Sequence, residues 1–361
     1  MKHSQYLQRC MELAQRGRAW VSPNPMVGSV IVKKGRIVGE GHHRRFGDSH
    51  AEFNAIVQAG GRARGATLYV NLEPCAHHGK TPPCTKAIIR AGISHVVAST
   101  KDPNPLVGGK GFRELRKAGV KVTLGVMKQE ARRLNEKFFA AMETRRPFVG
   151  VKLAQTLDGR IADFRGRSKW ISSPESRKYT HGLRTEYGAV MVGAQTVKLD
   201  NPELTARLTQ GRNPIRIVID GRLQISPARK ICTTTKAPTI VLTTSSSLKK
   251  QYKRALALER KGVQVIGIES PAPLSPKSVL KVLFDLGIVS VLIEGGSRTI
   301  RPFLEHRLVR KVHCFVAPAI LGSGTVGFSF GRLPLARMVR FDDLTVLEVR
   351  GTMVLEGRPR Y

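Results

Sequence analysis

Three observations predict an α/β protein of two domains. Segments of strand character alternate with helical ones along the 361 residues. A chain of that length exceeds what one hydrophobic core ordinarily supports. Thr144-Arg145-Arg146-Pro147 ends a helical stretch at a proline, and a new strand pattern begins at once. Domains of 1–146 and 147–361 are expected from this.

Each element has its own signal. Leu7, Cys10, Met11 and Ala14 recur at helical spacing and open the chain with an amphipathic helix. Val27 to Val32 and Gly35 to Val38 read as a hairpin turning at Lys33-Lys34-Gly35. A helix from near His50 to Ala59, a strand at Thr67 to Leu72, a loop to about Pro82 and a helix to Ala91 follow. A strand at His95 to Ser99 comes next, then helices at Gly111 to Ala118 and Lys128 to Met142 around a strand at Val120 to Val126. In the second domain, strands are expected at Phe148 to Leu153, Ala189 to Val192, Ile215 to Ile219, Thr239 to Leu242, Val263 to Ile268, Ser290 to Ile293 and Val312 to Val316. Ser173 before Pro174 is an N-cap before a proline at the first helical position, so a helix should run to about Tyr187. Thr243 to Ser247 reads as an exposed loop.

Composition narrows the class. No apolar run approaches the roughly 18 residues that span a bilayer, and the N-terminal stretch carries no signal-peptide core, so a cytoplasmic protein with no membrane partner is expected. Five cysteines leave at least one unpaired, which favours metal binding or burial over a disulfide framework. The formal charge of +35 divides as +16 before Pro147 and +19 after it, so it is a basic surface throughout and not a basic tail. Phosphorylated ligands suit such a surface.

The chemistry-bearing residues sit early. His50-Ala51-Glu52, Pro74-Cys75 and Cys84 supply one imidazole, two thiolates and a carboxylate, the set of a catalytic zinc in a hydrolytic deaminase. His50, Cys75 and Cys84 are the metal ligands, and Glu52 moves protons. Two positions on a regular helix diverge by about 200°, so His50 should lie at the irregular entry of its helix with Glu52 in the first turn. Thr81-Pro82-Pro83-Cys84 reads as a helix start, where a thiolate is favoured. His77 and His78 share the loop, but two further ligands would close the site and leave Glu52 without a role; contacts to substrate or to the ligands suit them better. His181, His306 and His313 read as ordinary polar or core residues.

Eight residues, Ala76 to Pro83, separate the cysteines, where nucleic-acid and nucleoside deaminases usually have two. Pro74-Cys75-Ala76-His77-His78-Gly79-Lys80-Thr81-Pro82-Pro83-Cys84 resembles the motif of the bifunctional riboflavin-biosynthesis deaminase/reductase family, as do Ser22 to Gly28 and Asp102-Pro103-Asn104-Pro105. The second domain is similar to that family's reductase at Lys152 to Gly159, Ser168 to Ile171, Val192 to Val197, Asp200-Asn201-Pro202 and Ile293-Glu294-Gly295-Gly296.

The resemblance implies a cytidine-deaminase-like α/β/α domain followed by a dihydrofolate-reductase-like α/β domain, with Zn2+ and NADPH as cofactors. It implies deamination of 2,5-diamino-6-(5-phosphoribosylamino)pyrimidin-4-one, then reduction of the ribosyl group of the product to ribityl. By position in the matched motifs, Ala154, Trp170, Thr196, Asp200, Gly295, Gly296 and Ser297 would contact NADPH. Ser168, Arg184, Leu204, Arg207 and Glu294 would meet the substrate, with Arg184 and Arg207 suited to clamp phosphate. In the first domain Asn24 would orient the pyrimidine, or else simply form a turn between two prolines; Lys80 would meet the phosphate, or else solvate a loop. Arg310, where the family commonly has an acidic residue, and Arg298-Thr299-Ile300, bulkier and more basic than usual, depart from the pattern.

Two other patterns are set aside. Gly322-Ser323-Gly324-Thr325-Val326-Gly327 matches G-x-G-x-x-G, but no helix pattern opens within it, so it reads as a glycine loop near the second site. A nucleic-acid base deaminase would account for the zinc set and the charge, but not for the insertion or the second domain, and nucleic acid is not an expected partner. A homo-oligomer is compatible with the sequence, which does not give its size.

Overall fold

The computed structural model describes residues 3–79, 81–105, 107–168, 171–329, 331 and 333–361. The chain divides into two compact units, Met1–Arg145 and Arg146–Tyr361.

The first unit runs α1 (His3–Gln15), β1 (Gly28–Lys33), β2 (Arg36–His42), α2 (Ala51–Ala59), β3 (Thr67–Val70), α3 (Cys84–Arg90), β4 (His95–Ala98), α4 (Lys110–Lys117), β5 (Lys121–Leu124), α5 (Lys128–Leu134) and α6 (Glu136–Thr144). Its sheet has the order β2-β1-β3-β4-β5; β1 is antiparallel to both neighbours, and β3, β4 and β5 are parallel. Alternate residues of each strand serve opposite faces. Ile31, Leu68, Val70, Val96 and Ala98 pack with Ala55 of α2, Ile88 of α3 and Leu115 of α4. Val30, Val32, Tyr69 and Val97 pack with Leu7, Cys10 and Leu13 of α1. The layers are therefore α/β/α.

Two details position the functional residues. A side chain at Gly39 or Gly41 would strike the backbone oxygens of Ala55 and Ala51, at 2.3 and 2.2 Å, so only glycine lets α2 lie this close on β2. The single helix expected over Lys128 to Met142 is instead broken at Asn135, whose φ of −109° and ψ of 28° leave the helical region. Asn135 Oδ1 accepts the Met26 N–H, and its Nδ2 donates to the Met26 carbonyl, both at 2.8 Å. A side-chain clamp on a remote loop leaves no periodicity to read, which is why the break escaped the sequence pattern.

The second unit runs β6 (Phe148–Thr156), β7 (Arg160–Ala162), α7 (Pro174–Glu186), β8 (Ala189–Gly193), α8 (Ala194–Asp200), β9 (Ile215–Ile219), β10 (Thr239–Thr244), α9 (Ser245–Lys250), α10 (Tyr252–Glu259), β11 (Gln264–Ile268), α11 (Pro276–Asp285), β12 (Ser290–Glu294), α12 (Ser297–Glu305), β13 (Val309–Ala317), β14 (Thr325–Val326), β15 (Arg340–Val349) and β16 (Thr352–Arg360). The nine-stranded sheet has the order β11-β10-β9-β8-β12-β6-β13-β16-β15, parallel through β13 and closed by an antiparallel hairpin. Val149, Val151, Met191, Ile217, Leu242 and Val291 are among the core residues contributed by its central strands.

One expectation changes here, and two stretches gain elements that the sequence did not show. Thr243 and Thr244 are buried at the end of β10, and Thr244 Oγ1 caps α9 by accepting the Ser247 N–H at 3.1 Å, so this stretch is no exposed loop. Ser and Thr clusters serve caps as readily as loops. The hairpin of β15 and β16 carried no clear alternation, because every residue of β15 before Val349 is exposed. The Gly322–Gly327 stretch holds β14, paired with β7, and opens no helix.

Ser173 accepts the Ser176 N–H at 3.1 Å and caps α7, as its sequence predicts. Just beyond α7, the Tyr187 hydroxyl meets His313 Nε2 at 3.0 Å, and His313 Nδ1 meets Glu356 Oε1 at 2.7 Å. Burial works against the Glu356 charge, but the bonds from His313 and Tyr179 and the nearby Lys311 hold its carboxyl down at about 2. A carboxyl lowered in the folded state stabilises above its unfolded pKa of about 4.3, and that contribution is lost as pH falls through the folded value. Glu356→Gln should therefore destabilise the second unit by about 1–3 kcal/mol at pH 7, with the difference vanishing between about pH 4 and pH 2. Urea unfolding followed through Trp170 in a Trp20→Phe background measures it.

Candidate functional site

In the first unit, His50 is the N-cap of α2 with an extended backbone, φ −74° and ψ 164°, and Glu52 lies in the first turn. This is the irregular entry that lets both side chains face one point. Cys75 follows β3 in a loop, and Cys84 opens α3, where its N–H donates to Cys75 Sγ at 3.4 Å. The Thr85 N–H donates to the Cys75 carbonyl at 3.2 Å, fixing the loop against the helix.

His50 Nδ1 lies 3.3 Å from Cys84 Sγ and 3.5 Å from Cys75 Sγ, and one donor atom from each of the three residues falls within 4.8 Å of the others. Tetrahedral zinc with thiolate and imidazole ligands places nitrogen and sulfur about 3.5 Å apart, so the donor set fits this metal. Thr81 Oγ1 stands 3.4 Å from His50 Nε2 and would accept its proton, leaving Nδ1 as the ligand. The hydrogen bond between the cysteines pulls the Cys75 thiol down to about 4 and pushes the Cys84 thiol up. Burial pushes the Glu52 carboxyl up to about 7.

A cavity of about 250 Å³ is lined by His50, Glu52 and Cys75. Asn24 lines it, as expected, and so does His77. Three more lining residues were missed as site residues. His43 is buried; its Nδ1 donates to the Ser49 carbonyl and its Nε2 accepts from Asn24 Nδ2, each at 3.2 Å. Glu73 is buried and accepts the N–H groups of Asp102 (3.2 Å), Gly109 (2.9 Å) and Phe112 (3.3 Å), which carries the Asp102–Asn104 turn to the cavity wall. Burial raises the Asp102 carboxyl to about 6. Asp102 stood in a matched motif, and that was its only signal; His43 and Glu73 have no spacing to betray them. Lys80 lies outside the described residues.

In the second unit, Thr196 and Asp200 lie on α8, which follows β8, and Gly295, Gly296 and Ser297 follow the carboxyl end of the adjacent parallel strand β12. Cofactors bind open parallel sheets at such ends. A side chain at Gly193 would strike Thr299 Oγ1 at 2.5 Å, whereas one at Gly296 would meet open space. Gly296 begins α12, which has no side-chain cap and no acidic residue in its first turn; that leaves its N–H groups available to a phosphate, as a dinucleotide requires. Ala154 lies on β6, beside β12, and Ser168 Oγ donates to Asp200 Oδ1 at 3.1 Å. Trp170 lies outside the described residues.

Arg184 and Glu294, expected as separate substrate contacts, hold one another. Arg184 Nε and Nη2 donate to the two Glu294 oxygens at 2.7 and 2.8 Å, and Nη1 donates to the Thr205 carbonyl at 2.8 Å. With its fork so committed, Arg184 is not a free phosphate clamp. Arg207 is over half exposed and only 3.8 Å from Glu203, so it keeps that capacity. Leu204 is buried with φ of 52°. Arg298 and Arg310 are both exposed.

Residues 147–355 match the family described as the RibD C-terminal domain, and residues 1–100 match the cytidine and deoxycytidylate deaminase zinc-binding region. The chain is 47% identical over 320 residues to the riboflavin biosynthesis protein RibD of Aquifex aeolicus, covering 88% of each. It is 39% identical to that of Escherichia coli, over 91% of this chain and 90% of that protein. Among solved structures, Acinetobacter baumannii RibD superposes with a TM-score of 0.90 at 36% identity, over 99% of both chains. The diaminohydroxyphosphoribosylaminopyrimidine deaminase/5-amino-6-(5-phosphoribosylamino)uracil reductase of Thermotoga maritima superposes with a TM-score of 0.86 at 40% identity, again over 99% of both.

Zinc binding at pH 7 should release protons from the Cys84 thiol, pushed up by Cys75, and from the His50 imidazole, raised by its bond to Cys75, and should weaken as pH falls. Calorimetry of the metal-stripped protein in buffers of different ionisation enthalpy counts the protons; Cys84→Ser should lower the number released.

Proposed function

Since the chain belongs to the RibD family, the bifunctional deaminase and reductase of riboflavin biosynthesis, we propose that Glu52 carries the proton transfers of its first reaction. The substrate we assign is the diaminohydroxyphosphoribosylaminopyrimidine named for the Thermotoga relative. The enzyme is a zinc-dependent hydrolase and an NADPH-dependent oxidoreductase. The observation that carries the assignment of residues is the convergence of His50, Cys75 and Cys84, with buried Glu52 lining one cavity alongside His50 and Cys75.

Bound zinc would act as a Lewis acid that lowers the pKa of water to about 7. Glu52 takes one proton from the attacking water and passes it to the ring nitrogen, then takes the second from the hydroxyl now on the ring carbon and delivers it to the amino group, which leaves as ammonia. A carboxyl buried to a pKa of about 7 can do both near neutral pH. The water oxygen replaces the amino nitrogen on the ring carbon. Asn24, its amide held by His43, orients the ring, and Lys80 meets the phosphate.

In the second reaction NADPH supplies the hydride, and the residues of this chain orient the partners and exclude water. Ala154, Trp170, Thr196, Asp200 and the Gly295-Gly296-Ser297 turn hold the cofactor. Ser168, Leu204 and Arg207 meet the substrate beside the Arg184–Glu294 pair.

No helix among the described residues is long and apolar enough to cross a membrane. All five cysteines are free, which supports a reducing, cytoplasmic compartment. A nucleic-acid deaminase would leave the NADPH-using unit without a role. Self-association is supported by β15, an edge strand with Phe341, Leu344, Val346 and Leu347 exposed, since such an edge recruits pairing.

Glu52→Gln should lower ammonia release by at least about 10²-fold while zinc content and NADPH oxidation on supplied deaminated substrate persist. Retention of ammonia release would remove Glu52 from the mechanism. Val346→Lys should shift the sedimentation coefficient from an assembled species toward the monomer; an unchanged profile would discard this edge as the contact.

A further inference from the structure

Arg216 is the second residue of β9, Ile215-Arg216-Ile217-Val218-Ile219, and is 0% exposed. A buried guanidinium is costly unless its hydrogens find acceptors, and among the described residues no carboxylate forms an ion pair with it. Its acceptors are three backbone carbonyls. Nη1 donates to Glu203 at 3.3 Å, and Nη2 donates to Thr233 at 3.0 Å and to Ala237. Burial lowers its pKa against the opposing pull of Cys232 and Glu203.

The Glu203 carbonyl begins an unusual stretch. Leu204, the next residue, has φ of 52°, in the left-handed region that a branched side chain disfavours, yet it is buried. Arg184 donates to the Thr205 carbonyl at 2.8 Å while its other edge grips Glu294. The Ala206 N–H donates to Asn213 Oδ1 at 2.8 Å, and the Leu208 N–H to His181 Nδ1 at 3.2 Å. Residues 203–208 thus have no regular structure of their own, and side chains from α7, β9 and the loop before β9 hold them backbone group by backbone group. Leu204 sits between the carbonyls taken by the two arginines.

We propose that Arg216 is a positioning residue of the reductase: by holding the Glu203 carbonyl it keeps Leu204 left-handed and so sets the 204–207 stretch against which the phosphorylated pyrimidine binds. This rests on the assignment of Leu204 and Arg207 to the substrate. Arg216 touches neither substrate nor cofactor. Its effect should therefore fall on the KM for the pyrimidine and spare that for NADPH.

The test uses the full-length enzyme, supplied deaminated substrate for the reductase and the diamino substrate for ammonia release, and the variants Arg216→Met, Arg216→Lys, Leu204→Gly and Arg207→Ala. Arg216→Met should raise the KM for the pyrimidine about tenfold, with the KM for NADPH and the rate of ammonia release changed less than about twofold. Arg216→Lys, which keeps a donor, should give a rise of about threefold, and it carries the test alone if the Met variant does not fold. In a Leu204→Gly background, where the left-handed conformation costs little, replacing Arg216 should change the KM less than about threefold. Equal rises in both KM values, or an undiminished effect in the Leu204→Gly background, would make Arg216 merely structural and overturn the proposal. An unchanged pyrimidine KM in the Arg216 variants alongside a raised one in Arg207→Ala overturns the proposal alone; no change in either overturns the substrate assignment as well.

Discussion

The first active site depends on bringing three donors into a space where, without a cation, they compete for protons. His50, Cys75 and Cys84 lie 25 and nine residues apart in sequence, yet their donor atoms fall within 4.8 Å. Such convergence is stable only if the elements carrying the donors are fixed by something other than the donors. The glycines of β2 seat α2 and hence His50. The backbone of α3 hydrogen-bonds to the Cys75 sulfur and carbonyl and holds the two cysteines in register. The Cys84 thiol, pushed up beside Cys75, holds a proton that a dication would displace.

The same economy appears in the second unit, with charge in place of metal. Arg184 and Glu294 lie on α7 and β12, and their bidentate pair ties a helix to the strand that ends in the Gly295-Gly296 turn. A buried ion pair is weak evidence for stability, but it does define a geometry. Here that geometry joins the Gly295-Gly296 turn to the Thr205 carbonyl and thus to the stretch proposed to meet substrate. The Arg216 guanidinium reaches the same stretch at Glu203 from within the sheet.

Much of this was legible in the sequence because it rests on local rules. Strand and helix periodicity located most elements, the Ser173 cap was read from one dipeptide, and the entry geometry of His50 and Glu52 followed from helical angles alone. The failures share a cause. Asn135 breaks a helix to serve Met26, Glu73 spends its carboxylate on three distant N–H groups, and His43 joins Asn24 to Ser49. Each is a polar side chain satisfying remote backbone or side-chain groups, and hydrophobic period carries no trace of that. The β15 strand escaped for the opposite reason: it is exposed on both faces and has no buried side to alternate with.

By itself, the sequence determined the zinc donor set, the acid beside it and the α/β character of the chain, because these depend on residue type and short spacing. Only the tertiary structure decided which polar groups are already committed. Arg184 looked like a phosphate clamp until Glu294 and the Thr205 carbonyl were found to occupy its fork, and Arg216 was one more charge among 61 basic residues until it proved wholly buried. A guanidinium is the same in sequence whether it faces water or a carboxylate; its partners are chosen by packing, and packing sets its role.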